Sequence, residues 1–143
     1  MSSIISTGHC SCGAVRIRTT GPLRPVIYCH CSQCRRQTGH FLAATACDDT
    51  QLEVEGAEHI SWYQSSDVAK RGFCSKCGSG LFWKHQDNAY TSILAGLFDE
   101  PNSLTQESHI FVRDKGCYYD ITDGLPQFTT VPEGLVVKGE VAP

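Results

Sequence analysis

No window of this chain approaches the roughly 18 apolar residues that a membrane span needs. The opening MSSIISTGHC also lacks the basic stretch and long apolar run of a secretory leader. Together these absences lead us to expect a cytoplasmic protein with no membrane partner. Positive charge is scarce as well: 12 lysines and arginines against 15 aspartates and glutamates leave a net charge of −3, so there is no general electrostatic ground for binding nucleic acid. Repeats, low-complexity tracts, internal linkers and a convincing long helix are missing too. What is present is an ordinary 41% of hydrophobic residues in 143, enough for one domain with a real core.

The pattern along the chain is one of short strands broken by turns. Ala14 to Arg18 alternates apolar and polar side chains and reads as a half-buried strand. Further candidates are Val26 to Tyr28, Phe41 to Cys47, Gln51 to Glu55, His59 to Tyr63, Gly80 to Lys84, Tyr90 to Leu94 and His109 to Arg113. Turn signals such as Glu55-Gly56, Asp87-Asn88 and Asp123-Gly124 separate them. The expected fold class is therefore mainly β with little helix. The aromatic set Trp62, Tyr63, Phe73, Phe82 and Trp83 is expected to be mostly core.

Cysteine is abundant, and its placement is specific. Seven of the nine cysteines fall into three clusters: Cys10-x-Cys12, Cys29-x-Cys31-x-x-Cys34 and Cys74-x-x-Cys77. In a reducing compartment such clusters bind metal more often than they form disulfides. Cys74 to Gly78 and Cys12-Gly13 also place a glycine directly after a cysteine, which suits turns that aim backbone N–H groups at sulfur. Zinc held for structure takes four protein ligands, whereas zinc held for chemistry usually takes three and leaves a position open. Seven thiolates divide into four plus three, although spacing alone does not decide which clusters pair. His30, His40 and Cys47 are the nearest candidates to close the three-sulfur site, and each reads as a bystander.

Three strings carry a resemblance. They are Gly8-His9-Cys10-Ser11-Cys12-Gly13, the run Cys29 to Gly39 (CHCSQCRRQTG), and Arg71 to Phe82 (RGFCSKCGSGLF). With His109 to Arg113 and the segment DITDGLPQF from Asp120 to Phe128, they make the chain similar to the glutathione-dependent formaldehyde-activating enzyme family, which includes centromere protein V. The resemblance implies a compact zinc-pinned β-sheet domain of the β-tent type over residues 1–131, followed by a C-terminal tail at 132–143. It implies two zinc ions per chain: a structural one on Cys10, Cys12, Cys74 and Cys77, and an open, catalytic one on Cys29, Cys31 and Cys34. It further implies a carbon–sulfur lyase or synthase acting on a thiol–aldehyde adduct such as S-hydroxymethylglutathione, with glutathione and formaldehyde as partners.

Three cysteinate ligands make an anionic site, which weakens zinc as a Lewis acid and favours capture of a thiol over polarisation of a carbonyl. Arg35 and Arg36, directly after the triplet, are the candidate contacts for substrate carboxylates. The alternative to an enzyme is a non-catalytic, zinc-stabilised module that binds a small thiol adduct or a protein partner. Cys117, where relatives carry other residues before the DITDGLPQF-like segment, is expected to be a small half-buried hydrophobe.

Overall fold

The computed structural model describes residues 4–132, so the expected tail at 132–143 lies, beyond Pro132, outside the described residues. The described residues are mostly β, with ten strands in two sheets. In chain order these are β1 (Ile5–His9), β2 (Arg16–Thr20), β3 (Val26–Cys29), β4 (Leu42–Asp48), β5 (Leu52–Glu55), β6 (Ile60–Gln64), β7 (Ala69–Cys74), β8 (Gly80–His85), β9 (Tyr90–Leu94) and β10 (Gln106–Ile110). A short helix, α1 (Ser32–Thr38), separates β3 from β4. The smaller sheet has the order β1-β2-β5, and the larger β10-β3-β4-β9-β8-β7-β6. All pairings are antiparallel except that of β10 with β3.

The burial of each strand follows its place in the sheet. β2 buries Ile17 and Thr19 and exposes Arg16 and Arg18, the period-two pattern of a strand with one wet face. β4, in the middle of the larger sheet, buries Ala44, Thr45, Ala46 and Cys47 consecutively because both of its faces are covered. β6 is an edge strand, and its residues Trp62 and Tyr63 are exposed. The aromatic expectation is corrected accordingly: Phe82 and Trp83 are buried, but Trp62, Tyr63 and Phe73 are exposed because they lie on or beside this edge. The amino-group nitrogen of Lys70 sits 4.3 Å from the centroid of the Trp62 ring, a cation–π contact that shields part of that surface.

Two strands escape a reading by alternation. β1 (ISTGH) buries only Ser6 and Gly8, and Gly8 is required because the backbone of Leu97 and Phe98 occupies the space of a Cβ. β7 carries Arg71 and Gly72 at its centre, and Gly72 makes room for the Trp62 ring. The strand expected at His109 to Arg113 starts earlier, at Gln106, and gives way to a 3-10 turn over Val112–Asp114.

The core divides into two clusters, each built around one group of cysteines. Cys10 and Cys74 pack with Val15, Ile17, Leu81 and Phe82, drawn from both sheets. Cys31 and Cys34 pack with Ile27, Leu42, Ala44 and Ile110, where β3, β4 and β10 meet α1.

Candidate metal centre

The first cysteine group is built from two turns that face each other. The turn between β1 and β2 folds with Gly13 N–H donating to the Cys10 carbonyl at 3.0 Å, and the turn between β7 and β8 repeats this with Gly78 N–H donating to Cys74 at 2.8 Å. Both glycines adopt positive φ, 78° and 80°, which a side chain would oppose. The Sγ atoms of Cys10, Cys12, Cys74 and Cys77 all lie within 4.8 Å of one another. Ser79 ties the turns together, accepting from Ser11 N–H at 3.0 Å and lying 3.2 Å from the Cys77 sulfur. Hydrogen bonds from the Ser79 side chain and then its backbone pull the Cys77 thiol down to about 5. Val15 N–H points at the Cys10 sulfur at 3.3 Å, as a thiolate prefers.

The second group sits at the start of α1. Cys29 ends β3, Cys31 caps the helix and Cys34 lies in its first turn, with the three sulfurs within 4.8 Å of one another. The Cys31 sulfur replaces the usual oxygen cap and accepts from Cys34 N–H at 3.2 Å. Contacts with the Cys29 and Cys34 thiols hold Cys31 far below the ordinary thiol range, and the same contacts drive Cys29 well above it. Three crowded thiols thus cannot all ionise unaided; a divalent cation would let them do so. The donor chemistry fits zinc at both groups, four sulfurs in one and three in the other.

Among the described residues, no fourth His, Cys, Asp or Glu joins the triplet. Cys47 packs instead in the core around Cys10 and Cys74, where burial pushes its thiol up to about 11. The exposed His40 lies against the Tyr118 hydroxyl at 2.7 Å. His30 is fully buried, yet its ring faces away from the sulfurs: Nδ1 is 2.5 Å from the Tyr119 hydroxyl and Nε2 is 2.8 Å from His109 Nδ1. His109 Nε2 in turn meets the Asp123 carboxylate at 2.8 Å. Burial, then the neighbouring His109, lowers His30 to about 4, so the ring is neutral.

The sulfurs of the triplet open onto a cavity of about 40 Å³, walled mainly by Ile27, Leu42, Trp83, Ile110 and Phe111 and lined also by Arg24 and Arg71. That is room for about three water-sized occupants. Phe111 holds its ring there from a left-handed backbone, φ 53° and ψ 38°, unusual for a bulky residue.

The arginines divide in an unexpected way. Arg36 opens onto a separate groove with Ser32, Gln33, Gln37 and Tyr63, and Arg35 sits where its charge acts on the Tyr119 hydroxyl. Among the described residues, Arg71 of β7 brings a cation to the triplet, its Nη2 lying 3.5 Å from the Cys34 sulfur. No local pattern links residue 71 to the triplet, and the same holds for the His30–His109–Asp123 chain. Cys117 is exposed rather than half-buried, since the loop carrying it runs over the surface.

A family model described as glutathione-dependent formaldehyde-activating enzyme matches residues 5–114. An uncharacterised lyase of Schizosaccharomyces pombe is 29% identical over 124 residues, covering 85% of this chain and 89% of the relative. A provisionally named glutathione-dependent formaldehyde-activating enzyme of Halomonas elongata is 31% identical over 127 residues, covering 80% of this chain and 79% of its own. Among solved structures, a Rhodobacter sphaeroides protein superposes with a TM-score of 0.58 at 27% identity, over 86% of this chain and 99% of that one.

Proposed function

We propose, from the premise that the chain belongs to the glutathione-dependent formaldehyde-activating enzyme family, that it is a zinc-dependent carbon–sulfur lyase or synthase acting on a thiol–aldehyde adduct such as S-hydroxymethylglutathione. The observation that carries this reading is the convergence of Cys29, Cys31 and Cys34 on an apolar cavity with no fourth protein ligand among the described residues. Cys10, Cys12, Cys74 and Cys77 are assigned a structural zinc. Nine free cysteines fit a reducing, cytoplasmic setting.

A zinc ion on the three sulfurs would supply a position at which a thiol sheds its proton near neutral pH. The chain's own residues do the rest. The apolar walls exclude bulk water from the reacting carbon, and the small cavity admits the sulfur and a short aldehyde while the polar remainder of the thiol stays outside. In the synthetic direction the sulfur lone pair attacks the carbonyl carbon, a carbon–sulfur bond forms, and the carbonyl π electrons move to oxygen, which takes up a proton. The lyase direction reverses these steps. Arg36, in a groove lined with hydroxyl and amide groups, is the proposed contact for a carboxylate at the remote end of the thiol. Arg35 remains a candidate contact from the same helix.

The test is the rate of exchange between glutathione and formaldehyde, followed by NMR exchange spectroscopy. Wild-type protein is expected to accelerate it, and Cys31→Ala to return it to the uncatalysed rate while one zinc remains bound. Equal rates with and without wild-type protein would overturn the enzyme reading, and adduct binding without acceleration would identify a carrier module.

A further inference from the structure

Arg71 occupies the middle of β7, between Tyr63 of β6 and Trp83 of β8, and is only 7% exposed. A buried guanidinium needs a counter-charge. Among the described residues no carboxylate lies within ion-pair distance of it. Its side-chain contacts are Gln33 Oε1, 3.0 Å from Nε, and the Cys34 sulfur, 3.5 Å from Nη2. Gln33 is itself fixed, because its Nε2 donates to the Ser65 carbonyl at 2.9 Å and so turns its oxygen toward Arg71. The guanidinium is thus aimed at the triplet by a neutral brace, and the triplet is the negative charge it serves.

The charge balance gives this contact a consequence. Three thiolates and one divalent ion carry a net charge of −1, and a fourth thiolate raises it to −2, in a largely apolar cavity where such repulsion is poorly screened. Arg71, in contact with a sulfur, and Arg24, which also lines the cavity, offset this charge: with both counted the resting site carries +1 and the four-thiolate site is neutral. We propose that Arg71 is a specificity-determining residue of the fourth position, selecting an anionic sulfur ligand over a neutral one. The inference deepens the thiol-capture reading and rests on it.

The test uses the full chain loaded with cobalt(II), titrated with 2-mercaptoethanol as the thiol and imidazole as the neutral ligand, with binding read from the visible absorption of the metal. The four-sulfur group has no free position and contributes a constant background. Arg71→Met is expected to weaken thiol binding by about tenfold or more, while imidazole binding changes by less than about twofold. Arg71→Lys, which keeps the charge but loses the planar fork, should fall between. Gln33→Glu supplies a competing carboxylate without touching the strand and should shift the thiol-to-imidazole ratio in the same direction, which decides the matter if Arg71→Met does not fold. An unchanged ratio in folded, metal-loaded Arg71→Met or, failing that, Gln33→Glu overturns the proposal and leaves thiol capture standing. A wild-type spectrum indifferent to 2-mercaptoethanol overturns both.

Discussion

His30 shows how far one side chain can differ in role from its sequence neighbours. Its flanking cysteines turn toward the triplet, while its ring enters a chain of hydrogen bonds whose direction is determined from one end. Asp123, held below the usual carboxylate range by the Leu125 N–H and then by His109, is ionised and can only accept. His109 must therefore donate from Nε2, and with its ring in the neutral form Nδ1 accepts from His30 Nε2–H and His30 Nδ1 accepts from the Tyr119 hydroxyl. Replacing His109 with Leu strands a buried donor on His30 and is expected to cost about 1–3 kcal/mol in urea denaturation. His109→Gln offers an acceptor to His30 and a donor to Asp123, so it should recover part of that loss. Equal losses in the two variants would mean that His109 acts only by filling space.

Strands and turns carry a different set of constraints, in which backbone contact outweighs side-chain chemistry. At Gly8 of β1 an added methyl would strike the Leu97 carbonyl, part of a backbone that cannot swing aside. Gly8→Ala is expected to destabilise the protein by about 1–3 kcal/mol in thermal unfolding. Gly96 has open space where its Cβ would stand, so Gly96→Ala should stay within about 0.5 kcal/mol of wild type. A comparable loss at both positions would contradict the packing argument. The same features explain which elements could be read in the sequence. β2 and β9 announce themselves by alternation or by β-branched and aromatic content. β1 has almost no apolar side chain to alternate, and the centre of β7 holds a charge and a glycine whose partners lie on other strands. α1 is only seven residues long, and its cap is a sulfur, so the usual start signal is absent. The seven clustered cysteines were legible because sulfurs brought together by tight turns leave a spacing in the chain. Arg71, His109 and Asp123 reach their partners across strands and loops, and such contacts leave no spacing to find.

At the scale of the molecule, the two cysteine groups make different demands on the chain. Cys10 and Cys12 belong to the turn of the smaller sheet, and Cys74 and Cys77 to a turn of the larger one, so a shared zinc would cross-link the two sheets over a separation of 62 residues between Cys12 and Cys74. The triplet joins only the end of β3 to the first turn of α1. Closing a loop roughly ten times longer removes about 2 kcal/mol more chain entropy from the unfolded state, quite apart from the ligand bonds themselves. Cys74→Ala is therefore expected to lower stability by at least about 2 kcal/mol more than Cys31→Ala, measured by urea denaturation of the zinc-loaded proteins. Chelation should show the same order: the zinc whose removal collapses the β-sheet circular dichroism should be the one that Cys31→Ala still retains. The opposite order, with Cys31→Ala the more damaging change, would mean that the triplet holds the fold together and would remove the basis for assigning it the chemistry.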